Sequence, residues 1–332
     1  MSRRLLALLP ALTLLLCLYA VPVPLFVESP GPAHAVVPRI DIDEVRTYQP
    51  AGRMLLTTVN VGRVNLLDAV RAWIDPTAQV VPEREIFPPG QTEREFERLS
   101  RSQMDQSKIA AVAVALRRLT GYPRRHGPGA LVYATQPRLP AHGRLFPGDL
   151  IVRAGGERVG GVPELRRSIR RAGVGGRLRL TVRPVEGGDR RSVRLRPVAA
   201  GPESEPRIGI LPVANFPFPV VISSGRIGGP SAGLMWALGV IDLLEPGDLG
   251  GGRTLAGTGA LDLEGRVYPI GGIGLKIAAA ERAGAGVFLV PRGNLDEAEQ
   301  AAETIELVPV RTVTDALRYL EGERHLSGEL DT

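Results

Sequence analysis

The sequence is poor in cysteine, histidine and lysine. Its single cysteine is Cys17, so the rest of the chain can form no internal disulfide bond. None of its four histidines lies between residues 143 and 324, which argues against a Ser-His-Asp site in that region. Of the 41 basic residues only Lys108 and Lys276 are lysine, and the others are arginine.

Motifs for nucleotides, metals and nucleic acids are also missing from the sequence. The phosphate-binding pattern Gly-x-x-x-x-Gly-Lys-Ser/Thr does not occur, and neither Gly250–Gly252 nor Gly257–Gly259 completes Gly-x-Gly-x-x-Gly. We interpret Gly250–Gly252 as a surface turn. No cluster of His and Cys suggests a metal, and no basic motif is interleaved with aromatics as in nucleic-acid binding. We therefore expect neither a cofactor nor a nucleic-acid partner.

The composition is that of a globular chain. With 44% apolar and 23% charged residues it can bury a core, and its length of 332 residues suggests two to three domains. The mixture of strand-like and helix-like segments predicts the α+β class. Charge is uneven, because residues 151–200 hold 13 Arg against 4 acidic residues, whereas residues 201–332 hold 10 basic against 18 acidic ones. A solvated arginine-rich face is one interpretation, and attraction to an anionic membrane or to acidic peptide tails is the other.

The N-terminus carries a long uncharged stretch. Arg3 and Arg4 precede residues 5–27, which are without charge and about long enough to span a bilayer. We predict that residues 1–28 are a cytoplasmic tip and transmembrane helix, which places the rest of the chain outside the cytoplasm at the cell membrane. The alternative is a cleaved signal peptide, because Ala33-His34-Ala35 has the small-x-small form of a cleavage site.

Residues 29–127 have patterns of secondary structure but no motif that indicates a catalytic or binding site. Residues 54–59 are typical of a strand and residues 66–74 of a short helix. Thr92 and Glu95 form a capping-box pattern that opens a long helix through Leu119. We interpret the segment as a mixed spacer between the membrane and the working domains.

A glycine-rich turn around Ser231 is the first pattern that indicates a catalytic residue. Residues 220–223 predict a strand, Gly228 and Gly229 a tight turn, and the residues from Leu234 a helix, with Pro230 in its first turn. This arrangement puts Ser231 at a helix N-terminus, where backbone N–H groups and the helix dipole favour a developing negative charge. A serine needs a base before it can act as a nucleophile. The alternative is that Ser231 is only a small residue that caps the helix.

Lys276 is the candidate base. Arginine never deprotonates in proteins, whereas a desolvated lysine can approach a neutral pKa. A chain that uses arginine almost everywhere keeps one lysine in the run Ile-Gly-Gly-Ile-Gly-Leu-Lys, at the start of an apolar helix. The two residues together predict a Ser-Lys dyad, against the plain alternative of a surface lysine.

The ordered motifs resemble the proteolytic domain of Lon proteases. They are Gly-Pro-Ser-Ala-Gly, the pair Thr258-Gly259, and Pro-Ile-Gly-Gly followed by Lys276, together with the later strand-helix units at residues 287–291 and 305–310. The resemblance implies that Ser231 is the nucleophile, that Lys276 is the general base and that Thr258 supports them by hydrogen bonding. It covers residues 207–320, and we place the domain at residues 203–322, followed by a flexible tail at residues 323–332.

The chain departs from the Lon pattern at three positions. Gly228 stands where the family has Asp, Ala260 where it has Glu, and Gly274 where it has the first of two Lys. These changes resemble the membrane-anchored branch in which a PDZ domain precedes a Lon-type domain. They leave open the donors to the oxyanion, for which the backbone N–H groups of Ser231 and of Gly228 or Gly229 are candidates.

Residues 128–200 resemble a bacterial PDZ domain. The residues of the expected peptide-docking loop and strand are Gly129, Ala130, Leu131 and Val132, and residues 163–172 would form the groove helix. Such domains add a peptide as an extra strand. The alternative is a small β-rich packing module without a ligand.

The resulting expectation is an ATP-independent, membrane-anchored serine endopeptidase. It would cleave unfolded or flexible extracytoplasmic proteins, recruit them through the PDZ domain and use no cofactor. Its partners would be polypeptide substrates, the membrane and, through the Lon-type domain, further copies of the chain. The competing hypothesis is a PDZ-based membrane scaffold whose protease-like domain is silent.

Overall fold

A computed structural model of the chain describes residues 22–75, 77–88, 90–200 and 204–330. Most of the predicted membrane anchor, residues 1–21, lies outside the described residues. Side chains are described from residue 23 to residue 322.

From residue 22 to residue 119, the described residues form four strands and three α-helices. In order they are β1 (Pro22–Ala35), β2 (Ile40–Ile42), β3 (Arg53–Asn65), α1 (Leu66–Ile74), β4 (Gln79–Pro82), α2 (Glu83–Ile86) and α3 (Glu93–Leu119). The predicted bounds of α1 and α3 are confirmed. Helix α3 opens on the predicted capping box, in which Thr92 and Glu95 each bond the backbone of the other.

The middle part forms a unit of its own, residues 127–215, which we call the central unit. Its elements are β5 (Gly127–Thr135), β6 (Asp149–Ala154), β7 (Glu157–Arg158), α4 (Val162–Ala172), β8 (Leu178–Pro184), β9 (Arg191–Leu195), β10 (Val198–Ala200), β11 (Glu205–Arg207) and β12 (Ile210–Asn215). Five of its strands form a sheet in the order β12-β5-β6-β8-β9, and β7 pairs with β6. The predicted groove helix is present as α4.

The last part completes the fold. Its elements are β13 (Val220–Ile222), α5 (Gly233–Leu244), β14 (Thr254–Gly257), β15 (Ala260–Leu261), β16 (Val267–Tyr268), α6 (Ile273–Arg282), β17 (Val287–Pro291), α7 (Leu295–Ala301), β18 (Glu306–Val310) and α8 (Val313–Leu330). Thus residues 323–330, predicted as part of a flexible tail, continue α8 instead. That sequence is rich in helix formers, and no proline interrupts it.

A six-stranded sheet, which we call the main sheet, joins the first and last parts of the chain. Its order is β18-β17-β14-β3-β1-β4, and β3, β14, β17 and β18 run parallel. Side chains alternate between the faces: Leu56 packs with α3, α5 and α8, whereas Leu55 packs with α6 and α7. The main sheet is therefore covered by helices on both faces, as parallel strands require.

The spacer prediction for residues 29–127 was wrong. Strand β3 lies in the middle of the main sheet, and α3 packs against α5. The physical reason is visible in the sequence. Met54, Leu55 and Leu56 are consecutive apolar residues, which indicates a strand buried on both faces, and the apolar stripe of α3 must also be covered.

The end of the predicted membrane helix also needs correction. Residues 22–28 form the start of β1, which pairs with β3 and β4 in the main sheet. Backbone pairing of this stretch with two neighbours is incompatible with a helix through residue 28. Among the described residues, no helix combines the length and the apolar character needed to cross a membrane.

The boundary predicted between the PDZ-like domain (residues 128–200) and the Lon-type domain (residues 203–322) moves as well. Strand β12 was assigned to the Lon-type domain, but it pairs along β5, from Ile210 opposite Thr135 to Asn215 opposite Gly127. The central unit therefore ends at Asn215, not at residue 200. It is an insertion between α3 and β13, both of which belong to the fold built around the main sheet.

Candidate active site

Ser231 lies in the turn that leads into α5. The helix begins at Gly233, so Pro230 precedes it and does not form its first turn as predicted. Helix α5 is buried from Gly233 to Leu243 because the main sheet, α3 and α8 surround it. Water therefore screens the partial positive charge at its N-terminus only weakly.

Lys276 reaches Ser231 from the opposite face of the main sheet. It is the fourth residue of α6, and its Nζ atom lies 2.9 Å from Ser231 Oγ. The two side chains meet beyond the carboxyl end of β14, where its parallel pairing with β3 ends at Gly257 and Leu56. Ligand and catalytic sites of parallel sheets commonly lie at this end.

Burial shifts the acidity of Lys276. The residue is 4% exposed, and this desolvation lowers the pKa of its amine from 10.5 to about 8. Nζ also lies 3.4 Å from the Thr57 carbonyl oxygen and 3.4 Å from Thr258 Oγ1. A neutral amine has two N–H donors and one lone pair, so it can donate to these two oxygens while accepting the proton of Ser231.

The second lysine of the chain has a different environment. Lys108 on α3 donates to Glu186 across 2.8 Å and to Asp105 across 3.4 Å. Within the described part of the chain, Lys276 has no carboxylate at ion-pair distance. Lys276 is thus a buried amine without a counter-ion in that part of the chain, and burial lowers its pKa to about 8.

Thr258 is bonded to both predicted dyad residues. Its hydroxyl donates to the Ser231 carbonyl across 3.0 Å, and its oxygen faces Lys276. The N–H of Gly259 donates to the same Ser231 carbonyl across 2.7 Å. Thr258 itself is 1% exposed and lies directly after β14. The structure therefore brings Ser231, Lys276 and Thr258 into one cluster.

Gly228 and Gly229, the two predicted glycine donors to an oxyanion, differ in whether their backbone N–H already has an acceptor. The N–H of Gly229 donates to the carbonyl of Ser100 on α3 across 2.9 Å, so this group is already engaged within the chain. The N–H groups of Gly228 and Ser231 have no acceptor in the described part of the chain. Contact of α3 with this turn explains the difference.

The predicted peptide-docking residues do not have an open edge. Gly129, Ala130, Leu131 and Val132 lie in β5, whose two sides pair with β6 and β12. Strand β12 runs antiparallel to β5, and both β12 and β11 lie close to α4. The chain itself therefore occupies the position at which an added peptide was predicted. No local sequence pattern distinguishes such an internal strand from a linker.

Two contributions to the site come from the segment that was interpreted as a spacer. The Thr57 carbonyl on β3 contacts Lys276, and the Ser100 carbonyl on α3 holds Gly229. Both are main-chain oxygens, which leave no signature in a sequence. The sequence offered one indication, because Thr57 directly follows the apolar run Met54–Leu56, and the parallel pairing of β3 with β14 ends at that run.

Comparison with solved structures gives two likenesses to PDZ domains. The PDZ domain of an SdrC-like protein from Listeria innocua is 26% identical, with 25% of this chain and 92% of that chain covered and a TM-score of 0.24. The corresponding domain from Listeria monocytogenes is 25% identical, with 26% of this chain and 87% of that chain covered and a TM-score of 0.24.

Comparison with sequence families and known proteins points to Lon proteases. The archaeal Lon protease of Halobacterium salinarum is 36% identical over 101 residues, which are 30% of this chain and 14% of that protein. Lon protease 2 of Bacillus subtilis is 35% identical over 91 residues, 27% of this chain and 16% of that protein. The chain thus spans less than one fifth of the length of these relatives. Residues 222–320, which hold Ser231, Thr258 and Lys276, match the family model of the Lon protease C-terminal proteolytic domain.

Proposed function

We propose that this protein is a serine peptidase in which Ser231 is the nucleophile and Lys276 the general base. The observation that carries the proposal is the 2.9 Å contact between Lys276 Nζ and Ser231 Oγ, made by a buried amine whose pKa is lowered to about 8. It lies within the residues that match the Lon proteolytic domain. At pH 7 roughly a tenth of such an amine is neutral, enough to accept a proton.

The first half of the reaction forms an acyl-enzyme. Ser231 Oγ attacks the scissile carbonyl carbon while its proton passes to Lys276 Nζ. The carbonyl oxygen becomes an oxyanion, which the N-terminus of α5 and the Ser231 N–H stabilise. The tetrahedral intermediate then breaks its C–N bond, and Lys276 returns the proton to the leaving amine. Lys276 is neutral again at the end of this half.

The second half releases the product acid. Water attacks the acyl carbonyl, and its proton passes to Lys276. Collapse of the second tetrahedral intermediate breaks the bond to Ser231 Oγ, which takes the proton back. Thr258 keeps the carbonyl of Ser231 fixed throughout, so the nucleophile needs no rearrangement between the two halves.

The proposed substrates are unfolded or flexible polypeptides outside the cytoplasm. The sequence carries no phosphate-binding loop, so we propose cleavage without ATP, of chains that need no unfolding. Anchoring would depend on residues 5–21, whose uncharged sequence follows Arg3 and Arg4. Membrane fractionation of the full chain and of a version beginning at Pro22 tests this proposal. Release of both versions from membranes by alkaline carbonate would contradict it.

The decisive experiment uses a fluorophosphonate probe with a denatured protein as substrate. We expect labelling and cleavage in the wild type and in Ser223→Ala, which removes a nearby exposed serine, and neither in Ser231→Ala. The Ser231→Ala protein should fold normally, because a small side chain replaces a small one. Sequencing the new termini of the substrate defines the cleavage preference. Cleavage by the Ser231→Ala protein would refute the nucleophile assignment.

The competing hypothesis is a scaffold with a silent protease-like region. The lowered pKa of Lys276 argues against it, because burying an amine without a carboxylate costs stability that a scaffold has no reason to retain. A wild-type protein that is folded, unlabelled and inactive on denatured substrates from pH 7 to pH 10 would favour the scaffold. Sedimentation of the same preparation tests the proposed association of copies.

A further inference from the structure

Helix α3 contacts the turn of the nucleophile at two points. The hydroxyl of Ser107 donates to the Pro230 carbonyl across 3.0 Å, and the carbonyl of Ser100 accepts from the Gly229 N–H across 2.9 Å. Ser100 and Ser107 are two helical turns apart, so they lie on the same face of α3. The helix therefore fixes the chain on both sides of the Gly229–Pro230 bond.

The packing between α3 and this turn is tight. A Cβ atom on Gly228 would overlap Ser100 Oγ, and one on Gly233 would lie 2.9 Å from Ser107 Oγ and 2.7 Å from the Leu261 side chain. The glycines before and after Ser231 are therefore needed for the approach of α3 as well as for turning the chain. Ser107 is 2% exposed, so water does not replace its bond.

The bond from Ser107 determines the direction of the Ser231 N–H. The Pro230 carbonyl and the Ser231 N–H belong to one planar trans peptide unit, in which they point in opposite directions. Because the carbonyl is held towards α3, the N–H is turned away from α3. On the other side of Ser231, Thr258 and Gly259 hold the carbonyl. Both peptide units that flank the nucleophile are thus fixed by hydrogen bonds.

We propose that Ser107 is a positioning residue for the oxyanion: it aims the Ser231 N–H at the oxygen that becomes negative in the tetrahedral intermediate. The inference rests on the proposed peptidase activity. Donation to the carbonyl also polarises the peptide unit, which makes its N–H a better donor. The Ser231 N–H suits this role, since it has no acceptor in the described part of the chain.

The test compares Ser107→Ala with Ser102→Ala, a change on the same helix that removes a hydroxyl whose one hydrogen-bond partner among the described residues is Gln106. For Ser107→Ala we expect kcat to fall about 10- to 100-fold with KM nearly unchanged, since only the transition state uses the N–H. The inhibition constant of a peptide boronic acid, whose adduct with Ser231 is tetrahedral, should rise by the same factor. The pH midpoint of the rate should not move, because Lys276 is untouched. Ser102→Ala should match the wild type in kcat, in KM and in the inhibition constant of the boronic acid.

Ser107→Cys provides a second variant of nearly unchanged size. Its weak S–H donor should give an intermediate loss, and it decides the question if Ser107→Ala does not fold. A lower melting temperature with kcat unchanged would overturn the inference and leave Ser107 a structural residue. A loss of kcat without weaker boronate binding would also overturn it. An inactive, unlabelled wild type would instead refute the proposed peptidase, and this inference with it.

Discussion

The hydroxyl of Thr258 donates to the carbonyl of Ser231, and its single proton is thereby committed. Its oxygen can then only accept from Lys276, whose Nζ lies 3.4 Å away. One side chain thus fixes the backbone of the proposed nucleophile, Ser231, and accepts one N–H of the proposed base, Lys276. It couples two elements that come from opposite faces of the main sheet.

Replacing Thr258 by Val should lower both activity and stability. We expect kcat to fall at least about tenfold, because the base and nucleophile lose their common support. The free energy of unfolding should fall by about 1–3 kcal/mol, since a buried hydrogen bond is lost. The midpoint of the rate against pH should move below the wild-type value, because the ammonium form of Lys276 loses an acceptor. Thr258→Ser keeps the hydroxyl and should retain most activity, and equal losses in both variants would contradict this role.

The cleavage rate should depend on pH through Lys276. Only the neutral amine accepts the proton of Ser231, so kcat/KM should rise with pH and level off above about 8. Lys276→Arg should be inactive throughout, because a guanidinium stays charged. Lys108→Arg is the matched control, since it changes the only other lysine and should remain active. A profile that is flat from pH 6 to pH 10 would rule out an amine base of this pKa.

Stability should depend on pH in the same range. The pKa of Lys276 is about 8 in the folded chain and 10.5 when unfolded, so the unfolded state binds more protons between these values, and stability rises with pH there. Below pH 8 the charged amine costs the folded state roughly 3 kcal/mol. Lys276→Met should therefore be more stable than the wild type at pH 6, and the difference should shrink as pH rises towards 10.5. Chemical denaturation at several pH values measures this difference in the free energy of unfolding. A Lys276→Met protein that is less stable than the wild type at pH 6 would contradict the prediction.

Strand β12 should be protected in the absence of any peptide. Its pairing with β5 shields backbone amides that an open docking edge would leave exposed. We expect slow hydrogen exchange in residues 210–215 and fast exchange in the exposed turn at residues 187–190. Equally fast exchange in both segments would mean that β12 leaves the edge readily and that β5 can accept a peptide.

Local patterns in the sequence predicted much of this structure. The capping box fixed the start of α3, and the two motifs placed Ser231 and Lys276 at the ends of helices that converge on one site. The central position of β3 could not be predicted in this way. It depends on pairing with β14, about 200 residues later, and nothing local specifies such a partner. The uncharged stretch that continues into β1 was misinterpreted for a similar reason, since hydropathy does not distinguish a buried strand from the end of a membrane helix.

The hydrophobic core around α3 and α5 extends into the central unit, which also has a core of its own. Leu131 on β5 and Leu150 on β6 are fully buried in the cluster that contains α3 and α5, whereas Ala130 and Val132 face the core of the central unit. A unit packed in this way cannot open alone without exposing the core of its neighbour, so we expect the two to unfold in one cooperative transition. A peptidase of unfolded chains, as we propose for this protein, would also cut any part of itself that unfolds. The shared packing disfavours such partly open states, so for the proposed peptidase it would limit self-digestion.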